Sequence, residues 1–160
     1  MIKTAGDLDG LFRRDQRAVR LGALIKCSIS VKMDDGRYSY KMKDILAADK
    51  RNGGAVQKIA ETCVRKHMPL TGKNRLFVLL GLDASYIRLC KGVFGSLCGN
   101  LSSNTEIDYF TKRFSWVHVA HPSGQQPDRQ FYQWVRGETK KPKVRWARTE
   151  IARRLALRKR

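Results

Sequence analysis

The sequence predicts a three-layer α/β fold, in which a mostly parallel β-sheet is flanked by helices. Short apolar runs alternate with amphipathic helical patterns, and Gly, Asp and Pro residues separate them. This strand–helix order favours parallel strands joined by right-handed crossovers. A second observation is the charge: 33 Lys and Arg residues against 14 Asp and Glu residues give a net charge of +19 over 160 residues.

The length fits one domain with short additions at both ends. We predict a polar lead-in over 1–18, an α/β domain over 19–137 and a basic C-terminal segment over 138–160. No apolar run reaches the roughly 18–20 residues that cross a bilayer, and the N-terminus lacks the apolar core of a secretory signal. We therefore expect an intracellular protein, cytoplasmic or nucleoid-associated.

Three strands are predicted, over 19–31, 75–82 and 114–120. The first is rich in apolar and β-branched residues and is followed by a turn at 34–36. The second is apolar at nearly every position, which is typical of a strand covered on both faces of a sheet.

Helices are predicted between these strands. One spans 55–68 and ends before Pro69; another spans 86–98, with Asp83 or Ser85 as its N-cap. A third is expected over 127–136. Apolar residues at helical spacing predict a further, basic helix near the C-terminus, namely Val144, Ala147, Ile151, Ala152 and Leu155.

The positive charge indicates a polyanionic partner, because an excess of this size repels itself in the folded state. Nucleic acid is the leading candidate, since cations that neutralise phosphates release counterions and gain affinity. An anionic membrane surface and mere solubility are the alternatives. Candidate DNA contacts in the basic C-terminal segment are Lys140, Lys141, Lys143, Arg145 and Arg148.

A His-Pro-Ser-Gly turn follows the third predicted strand directly. In parallel sheets, ligands bind at the carboxyl ends of the strands. Pro122 stiffens such a turn, Ser123 and nearby amides suit a phosphate, and His121 can donate to a developing anion. An ordinary structural turn is the alternative interpretation.

The arrangement resembles the C-terminal half of the uracil-DNA glycosylase superfamily, over about residues 20–136. In that superfamily a strand with a Leu-Gly-x-x-Ala motif precedes a His-Pro-Ser loop. The matching residues here are Leu80, Gly81, Ala84, His121, Pro122 and Ser123. Cys27 after Lys26, and Cys63 in the first long helix, also resemble family positions.

The resemblance implies a DNA-binding protein that excises a damaged base by cleaving its N-glycosidic bond. His121 would then stabilise the departing anionic base, and Ser123 and Arg129 would contact DNA. Gly81, with Ala84 and Pro122, would line the base pocket and allow close backbone approach. Enzymes of this kind extrude the base from the duplex.

Parts of the family pattern have no counterpart. Only about twenty residues precede the Lys-Cys strand, and they contain no Gly-rich water-positioning loop. The base-reading Asn would fall near Ala23. The alternative is therefore a non-catalytic nucleic-acid-binding module, truncated or diverged from a glycosylase. A third class is a structural protein whose residues 140–160 bind RNA.

No cofactor is expected. Some branches of the superfamily carry an iron–sulfur cluster on four cysteines, of which Cys27 and Cys63 match two and are the weak metal candidates. Cys90 and Cys98 lie in a helical pattern and are expected to face the core. The resemblance to DNA glycosylases favours DNA over RNA as the partner. A partner chain or a dimer is a candidate cover for the open edges of the sheet.

Overall fold

The computed structural model describes residues 30–51, 53–68, 70–72, 75–121, 133–134, 136, 138 and 141–157. It is mixed α/β, with a small mixed sheet, a two-stranded hairpin and four helices in the described residues. The chain divides into two compact units. We call them the sheet unit, whose described residues fall in 72–82 and 102–157, and the helical unit, whose described residues fall in 30–71 and 83–101.

The helical unit begins with an antiparallel hairpin of β1 (Val31–Lys32) and β2 (Tyr38–Ser39). Helices α1 (Met42–Arg51), α2 (Ala55–His67) and α3 (Ala84–Cys98) follow and pack on one another. Their buried side chains include Ile45 and Ala48 of α1, Val56, Ala60 and Val64 of α2, and Ile87, Cys90, Val93 and Phe94 of α3.

The N-terminus of α3 is capped as the sequence predicts. The side chain of Asp83 accepts hydrogen bonds from the backbone N–H groups of Ser85 and Tyr86, at 2.9 and 3.0 Å. This satisfies two of the amides that a helix leaves without an internal partner.

The sheet unit contains β3 (Arg75–Leu80), β4 (Asp108–Phe110) and β5 (Phe114–Val119) in the order β3-β5-β4. Strands β3 and β5 are parallel, whereas β4 is antiparallel to β5. All six residues of β5 are buried. The central strand therefore forms the core of this unit.

The two faces of this sheet differ in chemistry. Alternation along β5 places Phe114, Trp116 and His118 on one face, where Trp116 stacks on Phe77 and Tyr109 with ring centroids 5.7 and 5.5 Å apart. The opposite face carries Ser115, Val117 and Val119. Helix α4 (Pro142–Leu157) packs against β5 and β3, and its buried residues include Val144, Ala147, Glu150 and Ile151.

The predicted strands over 75–82 and 114–120 and the helices over 55–68 and 86–98 are present with slightly different ends. The expectation of a mostly parallel sheet is corrected: β4 is joined to β5 by only three residues, and so short a connection permits only antiparallel pairing. Helix α1, which the sequence analysis did not predict, follows the hairpin directly.

Two predicted elements lie mainly outside the described residues. Of the strand over 19–31, only its end is described, and Val31 belongs to the antiparallel hairpin. Of the helix over 127–136, Gln133, Trp134 and Arg136 are described as helical, and Trp134 is fully buried.

Candidate functional site

The carboxyl ends of β3 and β5 lie side by side in the sheet unit. The pairing of Leu80 with Val119 is continued by Gly81, whose N–H donates to the carbonyl of Val119 at 2.7 Å. Gly81 has a φ of 139°, a conformation that L side chains rarely adopt. A residue with a Cβ would therefore be strained where the chain leaves β3.

His121 is exposed at the same edge of the sheet. The seven residues from Phe114 to Ala120 are all buried, and His121 is the first exposed residue after them. Because β3 and β5 are parallel, Gly81 and His121 both follow strand ends at one edge. The structure thus brings together two of the residues that the sequence analysis selected.

A buried histidine supports this edge from inside the sheet. His118 is fully buried; its Nδ1 lies 3.1 Å from the carbonyl oxygen of Gly81, and its Nε2 lies 3.2 Å from the hydroxyl oxygen of Tyr109. A carbonyl only accepts, so Nδ1 donates to Gly81; with Nε2 unprotonated in that tautomer, the Tyr109 hydroxyl donates to it. His118 therefore ties β4 and the residue after β3 to β5.

His118 is not among the site residues predicted from the sequence. The available signal is a histidine, three positions before His121, inside a run in which Ser115 is the one other polar residue. The role of His118 depends on the register that brings Gly81 beside it, which one strand's sequence does not reveal.

The other predicted site residues fall into three groups. Pro122, Ser123, Arg129 and Lys140 lie outside the described residues. Ala84 is the first residue of α3 and belongs to the helical unit. The remaining cations are at α4: Lys141 precedes it, Lys143 is in its first turn, Arg145 is exposed and Arg148 is half-buried.

The cations of α4 are not equivalent. Glu150 is buried, with 6% of its surface exposed, and it accepts from Arg153 at 2.6 and 2.8 Å and from Arg154 at 2.5 Å. Arg154 also donates to the hydroxyl of Ser115 and lies over the Phe110 ring. Both guanidinium groups are thus engaged by Glu150, Arg154 in a largely buried position and Arg153 at the surface.

Burial alone would raise the pKa of Glu150. The hydrogen bonds and positive charges of Arg153 and Arg154 outweigh that effect and hold its pKa below the ordinary value of 4.5. Arg145, by contrast, has no ion pair among the described residues. Arg145 is therefore better placed than Arg153 or Arg154 to neutralise an external phosphate.

The described residues include no group of three or more His, Cys, Asp or Glu side chains that could hold a metal ion. Of the two candidate ligands, Cys63 is half-buried on α2, and Cys27 lies outside the described part of the chain. Cys90 is buried and Cys98 is half-buried in α3. No helix in the described ranges is long and apolar enough to cross a membrane.

Comparison with family models, with curated proteins and with solved structures finds no match to this chain. The resemblance to uracil-DNA glycosylases stays a prediction that depends on the residues quoted above.

Proposed function

We propose that the protein binds DNA through phosphate contacts made by the outer side of α4. The observation that carries this proposal is that the inner side of α4 is anchored on the sheet. Val144, Ala147 and Ile151 are buried where the helix packs on the sheet, and Arg145 is exposed. A cation on an anchored helix can meet a phosphate at little cost in ordering. The net charge of +19 supports the same partner.

Salt dependence tests this proposal. For a labelled 20-mer duplex, the logarithm of the association constant should fall linearly with the logarithm of the salt concentration. The slope should be about −0.9 per phosphate contacted. Arg145→Gln should reduce the slope by about one contact. Arg153→Gln is the matched control, because it removes the same charge from a residue already paired with Glu150. A flat salt response in the wild type, or equal effects of both variants, would contradict the proposal.

We propose, as a second candidate function, excision of a damaged base at the edge formed by Gly81 and His121. The exposed position of His121 beyond a fully buried strand favours it. In this reaction the bond between the base nitrogen and the sugar carbon breaks, and its electron pair goes to the base. A hydrogen bond from His121 to the base would stabilise that charge, the oxygen of a water molecule would bond to the sugar carbon, and the proton that this water loses would end on the departing base.

Release of uracil from single- and double-stranded oligonucleotides tests this second function. Release by the wild type and its loss in His121→Ala would support it, provided that the variant keeps the same salt slope for DNA binding. Binding without release would leave the non-catalytic DNA-binding function and exclude uracil excision by this chain.

A further inference from the structure

Two tyrosines of the helical unit are exposed on one short hairpin. Tyr38 has 62% and Tyr40 has 68% of its surface exposed, far more than is usual for aromatic side chains in a folded domain. Large aromatic rings on a protein surface commonly mark a binding site, because they offer much contact area at a small cost in side-chain entropy.

The spacing of the two tyrosines favours the same side of the hairpin for both rings. Between them, Ser39 points the other way, towards α1: its hydroxyl donates to Asp44 at 2.6 Å and accepts from the N–H of Lys41 at 3.2 Å. Side chains alternate along an extended chain, so the two-residue spacing of Tyr38 in β2 and Tyr40 directly after it favours the side opposite Ser39 for both rings. Their spacing along the strand is about 6.7 Å, which leaves each ring room for its own planar partner.

Backbone hydrogen bonds close the turn of the hairpin. The N–H of Met33 donates to the carbonyl of Arg37 at 2.8 Å, and the N–H of Gly36 donates to the carbonyl of Met33 at 2.9 Å. Gly36 takes the positive φ of 82° that this turn requires. Arg37 forms an ion pair with Asp35 at 2.6 Å, which offsets that acidic charge at the turn. Little ordering is therefore needed when a ligand binds.

Cations accompany the rings. Lys32 pairs directly with Tyr38 across the hairpin, which places the two side chains on the same face. Lys41 follows Tyr40, Lys43 lies in the first turn of α1, and all three lysines are exposed. Aromatic faces beside cations match the chemistry of single-stranded nucleic acid, whose bases stack while its phosphates are neutralised.

We propose that Tyr38 and Tyr40, with Lys32, Lys41 and Lys43, form a stacking surface for unpaired bases of single-stranded DNA. This inference rests on the DNA binding proposed above and adds the form of DNA that the helical unit recognises. An apolar protein partner would use the same rings but would not need the lysines.

The test measures the affinity of the full chain for a thymidine 20-mer and for a duplex of equal length. Each of Tyr38→Ala and Tyr40→Ala should weaken single-strand binding about five-fold or more, and should leave duplex binding unchanged. Tyr38→Phe and Tyr40→Phe keep the rings and should bind as the wild type does. Ile59→Ala is the matched control, because Ile59 is exposed and apolar but not aromatic.

A second readout reports stacking directly. A fluorescent adenine analogue within the oligonucleotide should be quenched by the wild type and the Phe variants, but not by the double Ala variant. The stacking surface would be overturned if the Ala variants lost the same affinity for the duplex as for the single strand. It would also be overturned if they lost no affinity while salt-dependent binding persists. Either result would leave DNA binding itself intact. Tighter binding to a uridine RNA 20-mer would overturn the assignment to DNA. No binding to any oligonucleotide would overturn both proposals.

Discussion

The sheet unit buries several polar side chains and pairs them with one another, whereas the helical unit exposes two tyrosines on its hairpin. Glu150 and Arg154 lie on one face of the sheet, and His118 with Tyr109 on the other. Tyr38 and Tyr40 have no comparable cover. Buried and paired polar groups such as Glu150 therefore stabilise the fold, whereas exposed ones, on the hairpin of the helical unit and at Arg145 of the sheet unit, are available for binding.

The largest expected effect is that of Glu150→Gln in the sheet unit. The change leaves Arg153 and Arg154 without their carboxylate partner, and Arg154 is largely buried. We expect a loss of about 2–3 kcal/mol in the free energy of unfolding, measured by urea denaturation. Glu61→Gln on α2, whose carboxylate accepts from Gln57 at 2.9 Å, should cost under about 0.5 kcal/mol. If Glu150→Gln and Glu61→Gln lost the same unfolding free energy, the paired carboxylate of the sheet unit would contribute no more to stability than the one on α2.

The comparison of wild type with Glu150→Gln also predicts a pH dependence of stability. Because the folded protein lowers the pKa of Glu150, the carboxylate stabilises the fold above its ordinary pKa of 4.5. That stabilisation is lost as the pH falls through the lowered pKa. The difference in unfolding free energy between wild type and Glu150→Gln should therefore be constant near neutrality and shrink below about pH 4.5. A difference that grows on acidification would contradict this assignment.

A smaller loss is expected for Asp108→Asn. Asp108 is buried and accepts from the N–H and the hydroxyl of Thr105 at 2.6 and 2.8 Å. Removing the charged acceptor should cost about 1.5–2 kcal/mol of unfolding free energy. In the helical unit, Asp35→Asn breaks an exposed ion pair with Arg37 and should leave the urea midpoint unchanged within error.

The smallest loss is expected for Tyr109→Phe, which removes the hydroxyl next to Nε2 of His118. We expect a cost of about 1 kcal/mol in urea denaturation, because a buried ring nitrogen loses its donor. Tyr38→Phe removes an exposed hydroxyl and should not change stability. If the two changes had the same effect, the hydrogen bond in the sheet unit would contribute nothing.

Much of the fold could be predicted because its main elements are long or strongly patterned. The run over 75–82 is apolar, and Val56, Ala60 and Val64 recur at every fourth position, so β3 and α2 have clear signals. Strand β4 has three residues and the hairpin strands have two each, which is too short for any periodicity to develop. The mixed sheet was missed for that reason.

The candidate site could be predicted only in part. His121 and Gly81 were selected because each directly follows an apolar strand. The support from His118 depends on strand register, and the burial of Glu150 depends on α4 packing against the sheet, although its pairing with Arg153 and Arg154 is local to the helix. An acidic residue in a basic segment is ordinarily solvated, so nothing in the sequence marks Glu150 as buried. Tertiary contacts decide both features.

The parallel pairing of β3 with β5 has a consequence for biosynthesis. Their first residues, Arg75 and Phe114, are separated by the whole of α3 and β4. During translation, the apolar β3 emerges well before the strand that will cover its backbone, and a contact so distant in sequence forms slowly. Until β5 arrives, β3 is an unpaired apolar strand that favours aggregation. Variants that weaken β5 should therefore reduce the yield of soluble protein before they change any property of the folded molecule.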